Sequence, residues 1–209
     1  AHYTAFRKKR SEDAYTPGGQ AGRRPNRACI VYSNLVRQAF PGLPIILGGI
    51  EASLRRAAHY DFWSDALRRS LLFDAKADLI LYGMAETGIV EAARRLERGE
   101  ALAGLPGSAW IGAPPPGAVE LPSYEAMQSR PQALMEATLA IEQQVHHGAP
   151  VLFQAHGQRA VVLMPPAEPS AAEFEGLGDL PFTRDAHPDG DGPIPGLEMV
   201  RWSVTAVRG

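Results

Sequence analysis

Cysteine is nearly absent: 209 residues carry one, Cys29. A lone thiol excludes a disulfide framework, and it cannot by itself hold an iron–sulfur cluster or a structural zinc ion. A reducing, cytoplasmic setting is therefore the expected location. No apolar run approaches the roughly 20 residues that span a bilayer, and no signal peptide is visible. No membrane partner is expected. Neither sign of charge dominates, with 21 Lys and Arg against 23 Asp and Glu and a net charge of −2. The whole molecule thus has no nucleic-acid footprint, although nucleic acid stays open as a partner of the basic start. No G-x-G-x-x-G follows a strand and no Walker lysine is present, so neither a dinucleotide fingerprint nor a P-loop is supported. No G-x-S-x-G elbow or catalytic Cys/His pair is evident. His146, His147, His156 and His187 show no metal-binding spacing, and adjacent histidines on a helix point about 100° apart.

A globular interior is present, since 45% of the residues are hydrophobic. Charge is uneven along the chain. Residues 1–27 carry seven Lys and Arg against two acids, and residues 168–191 carry seven acids against one Arg. Both read first as solvated loops.

The segment Pro44–Asp65 concentrates chemistry. It opens as a short apolar strand, Ile45 to Leu47, and breaks at Gly48-Gly49. Glu51, Ser53, Arg55, Arg56, His59, Tyr60 and Asp61 then follow within a dozen residues. A strand ending in a glycine pair and dense polar chemistry builds a site at the carboxyl edge of an α/β sheet. A weaker copy runs from Asp78 to Thr87 and adds Gly83 and Glu86.

Coarse periodicity gives the elements around these loops. Asn26 is placed to cap a helix to about Phe40, with Ala28, Val31, Tyr32, Leu35 and Ala39 on one side. A strand over Ala28–Tyr32 is the alternative. Ser64 is expected to cap a helix to about Asp74, with Leu67 and Leu71 inward. Asp78–Tyr82 reads as a strand. A helix from about Glu86 to Arg98 should bury Ile89, Ala92, Ala93 and Leu96, with Gly99 as its stop. This alternation argues for right-handed βαβ units and a parallel sheet. Trp110-Ile111 starts another short strand, and residues 113–117 are a Pro/Gly linker. Residues 123–147 read as a long helix around Met127, Leu134, Leu139 and Ile141, kinked or split by Pro131. Val151–Gln154 and Ala160–Leu163 form a hairpin turning at His156-Gly157. Residues 165–197 are loop, and Glu198–Val207 alternates like a strand.

The chemistry has open readings. Gly48 and Gly49 let backbone N–H groups approach an anion or an adenosyl group, or they make a plain βα turn. Arg55 and Arg56 clamp a phosphate or carboxylate, or they pair with Glu51 and Asp61. His59 beside Tyr60 and Asp61 is enough for a proton relay, or it is structural. Cys29, on an apolar helix face, reads as an inert buried thiol.

At these residues the sequence resembles the YgiQ-type radical SAM proteins. The motifs are His2-Tyr3-Thr4, Asp13-Ala14-Tyr15-Thr16-Pro17-Gly18-Gly19 and Arg24-Pro25-Asn26-Arg27-Ala28. The longest runs from Gly48 to Arg56 and continues through Ala58-His59-Tyr60-Asp61 and Trp63-Ser64-Asp65. Lys76-Ala77-Asp78, Tyr82-Gly83-Met84 and Leu121-Pro122-Ser123-Tyr124-Glu125 complete the set. Ala85 stands where a glycine belongs to the pattern.

The resemblance implies an α/β fold: a partial Rossmann-like parallel sheet with flanking helices, similar to a cobalamin-binding domain, plus a connector and the first strand of a radical SAM barrel. Residues 1–112 would form part of the Rossmann-like domain, 113–197 the connector, and 198–209 the barrel strand. An Asp-x-His-x-x-Gly motif is absent, so the likeness to cobalamin domains concerns the fold and brings no cofactor. In such proteins a Cys-x-x-x-Cys-x-x-Cys motif follows an Arg-Gly like Arg208-Gly209. The chain would be an internal piece, lacking that motif and the domain's first strand. The parent protein would bind a 4Fe-4S cluster and S-adenosylmethionine, and cleave the latter to a 5′-deoxyadenosyl radical for an unknown substrate. The piece itself would bind no cofactor and have no catalytic residue. Its partner would be the barrel of the same chain, with a small-molecule or macromolecular substrate. The alternative is a non-catalytic flavodoxin-like module for a nucleotide-like ligand or a macromolecule.

Overall fold

The computed structural model describes residue 6 and residues 8–148, 150–188, 190 and 192–203. His2-Tyr3-Thr4 and Arg208-Gly209 lie outside the described residues. The chain divides into two units, Cys29–Glu175 and a smaller one of Ala1–Ala28 with Gly176–Gly209.

The larger unit is an α/β fold of the partial Rossmann-like kind expected. Helix α1 (Ala28–Ala39) leads through Pro41-Gly42 into strand β1 (Ile46–Leu47). Helix α2 (Gly49–Leu54) follows, where a polar loop was expected. A hairpin of β2 (His59–Asp61) and β3 (Ala66–Arg68) comes next, then α3 (Leu71–Ala75), β4 (Leu79–Leu81) and α4 (Glu86–Glu97). The helix expected from Ser64 is therefore replaced by β3 and a shorter helix. Ser64 donates to Asp61 at 2.7 Å, and Ser70 is the cap, its hydroxyl accepting from the Leu72 amide at 3.3 Å. Strands β5 (Ser108–Ile111) and β6 (Val119–Leu121) precede α5 (Tyr124–Ser129) and α6 (Gln132–His147). Pro131 splits these helices as expected, because the residue before it, Arg130, is held extended at φ −138° and ψ 104°. The hairpin β7 (Leu152–His156) and β8 (Arg159–Leu163) turns at Gly157, φ +61°.

Six strands form one sheet in the order β1-β4-β5-β8-β7-β6. The pairs β1–β4 and β6–β7 are parallel, and the other three are antiparallel. The sheet is mixed rather than parallel because of the segment after α4. Gly99, Gly104 and Gly107 turn it at positive φ. The Tyr82 amide then donates to the Gly107 carbonyl at 2.8 Å, so β5 starts beside the carboxyl end of β4 and runs back. Strands β6 to β8, expected in a connector, complete the same sheet.

The core lies on one sheet face around Leu71, Leu72, Ile80, Val161 and Leu163. A second cluster of Leu79, Leu81, Ala92 and Leu105 covers the other. Helix α4 buries Gly88 and Ala92, while Ile89 and Leu96 stay exposed. In α6 the buried positions are Ala133, Ala137 and Gln144, and Leu139 is exposed. Helix α1 packs inward with Cys29, Ile30 and Ser33, so Tyr32 and Leu35 of the expected inner face point outward.

In the smaller unit the Asp13–Gly19 motif closes on itself. Asp13 is 4% exposed, pairs with Arg24 at 2.7 and 2.8 Å and accepts from the Tyr15 amide. The Gly18 amide donates to Pro193, and Gly196 to Ala14. Helix α7 (Ala171–Gly176) bridges the boundary, and α8 (Pro195–Val200) belongs to the smaller unit. Pro195 at the first helical position starts α8, so Glu198–Val200 is helical where a strand was expected. Arg201-Trp202 form a turn, and residues 204–207 of that expected strand lie outside the described residues.

Candidate functional site

Strands β1 and β4 lie side by side and parallel, so both motif loops leave the same sheet edge. Gly48 stands at the end of β1, where an added Cβ would lie 3.7 Å from the Leu81 carbonyl oxygen. Gly49 opens α2 at φ +78°, and Gly83 follows β4 at φ +69°. All three glycines are exposed. Glu86 begins α4 next to Gly83. Carboxyl ends of parallel strands are where α/β sheets take ligands.

The polar side chains are mostly organised among themselves. Glu51 accepts from the Cys29 amide at 3.2 Å and from Arg55 at 3.0 Å. Arg55 also reaches Asp61 at 4.0 Å. Asp61 is 3% exposed and accepts from Ser64. Of the two readings of Arg55, pairing with both acids is the one observed. Arg56 pairs with neither; its guanidinium donates to the Ser53 carbonyl and lies 4.4 Å over the Tyr82 ring. Burial lowers the Arg56 pKa, with Tyr82 opposing. Burial pushes the Tyr82 phenol up to about 12, and Arg56 offsets part of this.

Of the two readings of His59, the proton relay is not the one assembled. Strand alternation puts His59 and Asp61 on one face of β2 and Tyr60 on the other. His59 Nδ1 is 3.2 Å from the Ala57 carbonyl, and Tyr60 donates to Asp65. His59 Nε2 and Arg56 Nε are buried and have no hydrogen-bond partner among the described residues. Burial lowers the His59 pKa, with the Ala57 carbonyl opposing, so the ring is neutral at neutral pH.

Three supporting residues escape sequence reasoning. Ser70 donates to the Arg56 carbonyl at 2.6 Å. Tyr82, the polar end of an apolar strand, supplies the face under Arg56. Gln154, fully buried, accepts from the Ala58 amide at 2.7 Å and donates to the Pro122 carbonyl at 2.9 Å. It ties the Ala58-His59 signature to the Leu121–Glu125 signature. An inward-facing glutamine in an otherwise apolar strand was the available signal. Next to it His156 lies between Phe73 and Tyr124, at ring distances of 4.9 and 5.6 Å.

A family model described as Radical SAM N-terminal matches residues 1–203. The chain belongs to the radical SAM N-terminal family. UPF0313 proteins are similar to it over its whole length. That of Geobacter sulfurreducens is 49% identical over 218 residues, covering 100% of this chain and 36% of the relative. That of Thermotoga maritima is 44% identical over 220 residues, covering 100% and 38%. That of Rhodopseudomonas palustris is 42% identical over 236 residues, covering 99% and 35%. The chain thus spans about a third of the length of the curated relatives it matches. No solved structure gives a significant match.

The residues of this radical SAM N-terminal chain do not fit an iron–sulfur cluster. Cys29 is half-buried, and burial with the neighbouring Glu51 pushes its thiol up to about 12. A four-iron cluster is held by several cysteine thiolates, and the chain carries one cysteine. Among the described residues no three His, Cys, Asp or Glu side chains are grouped to hold a metal ion. No helix among them is long and apolar enough to cross a membrane.

Proposed function

We propose that the full-length protein is a radical SAM enzyme and that this chain forms a substrate-facing wall beside its catalytic barrel. The 4Fe-4S cluster and S-adenosylmethionine would be held outside these residues, and the chain alone would catalyse nothing. Reductive cleavage of S-adenosylmethionine would supply the 5′-deoxyadenosyl radical. The observation that carries this reading is the convergence of the Gly48–Asp61 and Gly83–Glu86 loops at one sheet edge, together with the family match over residues 1–203. Within that edge Glu51, Arg55 and Asp61 hold the loop in shape. His59 presents a buried nitrogen that lacks a partner among the described residues.

The test uses the full-length protein, reconstituted with iron and sulfide without oxygen. The expected result is a cluster signal by electron paramagnetic resonance and reductant-dependent 5′-deoxyadenosine from S-adenosylmethionine. Absence of both overturns the enzyme reading. A metabolite extract should stimulate 5′-deoxyadenosine formation, and His59→Ala should abolish the stimulation while preserving the cluster signal. Unchanged stimulation in that variant overturns the wall assignment.

A second reading, a non-catalytic module for a nucleotide-like ligand or a macromolecule, has one observation in its favour. An open groove of about 400 Å3 lies at the β7–β8 turn, lined by Ile111, Pro114, Gly157, Gln158 and Arg159 among others. Calorimetry of the full-length protein with S-adenosylmethionine, cobalamin and RNA, in parallel with Arg159→Ala, separates the two.

A further inference from the structure

The sheet has a second edge with the makings of a site. β5 runs antiparallel to β4, and β8 antiparallel to β5, so Ile111 and Arg159 stand at the amino end of β4. Gly48 and Gly83 leave the opposite, carboxyl edge. The open groove of about 400 Å3 at the β7–β8 turn lies at this amino edge. That volume falls within the roughly 300–1,000 Å3 of small-molecule sites. Ala155 and Ala160 are direct cross-strand partners, and both line the groove. Their methyl groups leave room that larger side chains on the same face would fill. The other wall is the Gly112–Pro114 segment, tied to β8 by the Gly112 amide, which donates to the Ala160 carbonyl at 3.0 Å.

Arg159 gives this groove its charge. It is an exposed lining residue, and its guanidinium lies 4.6 Å over the Phe73 ring. Its side chain has no hydrogen bond or carboxylate partner among the described residues. The neighbouring acids are engaged elsewhere. Glu125 accepts from the Gly157 amide at 3.0 Å. Asp74 accepts from Arg68 and from Arg69. Arg69 also lies over Phe73, at 5.6 Å, so two cations share that ring and only Arg69 has an acid.

A guanidinium stacked on an aromatic ring is oriented by its face and keeps the N–H donors along its edge. Those donors match the paired oxygens of a phosphate or a carboxylate. The apolar part of the lining, Ile111, Pro114, Ala155 and Ala160, asks for a body without charge.

We propose that the groove at the β7–β8 turn binds a small molecule carrying a phosphate or carboxylate on an apolar body. The oxyanion pairs with Arg159, and the body lies against Ile111, Pro114 and the Ala155–Ala160 pair. This builds on the groove of the second reading above and is independent of the radical chemistry.

The test is calorimetry on the full-length protein with three probes: phenyl phosphate, benzoate and benzyl alcohol. At least one of the two anions should bind with about millimolar affinity, the range of so small a probe. Benzyl alcohol should bind at least about tenfold more weakly, since it lacks the charge. The tighter anion tells phosphate from carboxylate. Arg159→Ala should weaken the anion about tenfold or more, and Arg159→Lys should recover part of the loss. Ala113→Phe, on the exposed wall, should block the groove and abolish binding while the thermal midpoint is retained. Failure of both anions to bind overturns the proposal. So does equal binding of benzyl alcohol, or anion binding unchanged in Arg159→Ala and Ala113→Phe. Binding of S-adenosylmethionine or RNA through Arg159 without binding of either simple anion keeps the second reading and overturns this proposal. Anion binding without either larger ligand does the reverse.

Discussion

Arg55 and Arg56 are adjacent in sequence, yet they meet different chemistry. Arg55 spans two carboxylates, while Arg56 trades charge partners for the face of Tyr82. A cation over a buried aromatic ring, with one hydrogen bond to a carbonyl, is worth about 1–2 kcal/mol. Arg56→Ala is expected to lose that much in a denaturant titration, and Arg56→Lys to recover part of it. The histidines give the pH dependence. Burial holds His156 at about 4 in the folded protein against 6.5 for the free side chain. The unfolded chain therefore binds the proton first as pH falls. Stability is full above pH 6.5 and declines from there towards 4. His59 acts in the same direction. His156→Phe retains a ring between Phe73 and Tyr124 and removes the titration. Urea midpoints measured across this range should show a shallower acid decline in the variant.

At the scale of elements, two short turns decide how the sheet is assembled. Ser70 caps α3 and also holds the Arg56 carbonyl, which fixes the site loop to the start of that helix. Gly107 sits where β4, β5 and the segment after β8 meet. Its φ is +64°, and a Cβ there would stand 2.9 Å from the Tyr82 carbonyl and 3.1 Å from the Ala167 amide. Both obstacles are backbone and cannot swing away. Gly107→Ala is expected to destabilise by more than about 2 kcal/mol, read as a fall in thermal midpoint. The helix expected from Ser64 failed for a local reason. Asp65 adopts φ +53° and reverses the chain, so Ala66–Arg68 pairs with His59–Asp61 instead of coiling.

Across the whole molecule, the division lies between Cys29–Glu175 and the joined terminal segments. In the larger unit β4, β5 and β8 are flanked by strands on both sides, and Leu79, Ile80, Ala109, Val161, Val162 and Leu163 are fully buried. Their amides should be the slowest to exchange in native-state hydrogen exchange. Amides of Glu168–Leu180, which carry little buried apolar surface, should exchange early.

The sequence by itself determined the local elements with strong punctuation. Gly48-Gly49, Gly83 and Gly99 ended strands or a helix where expected, Pro131 split a helix, and Gly157 closed a hairpin. It also determined the family, because the run from Gly48 to Asp61 is dense in specific residues. Only the tertiary structure decided the direction of β5, since that depends on where the glycine-rich segment after α4 lands. It alone decided that Arg55 pairs with both Glu51 and Asp61, while the neighbouring His59 Nε2 and Arg56 Nε stay buried without a hydrogen-bond partner among the described residues. It decided as well which face of α1 packs. Periodicity reports that a face is apolar; burial depends on what lies against it, and a sequence pattern does not contain the partner.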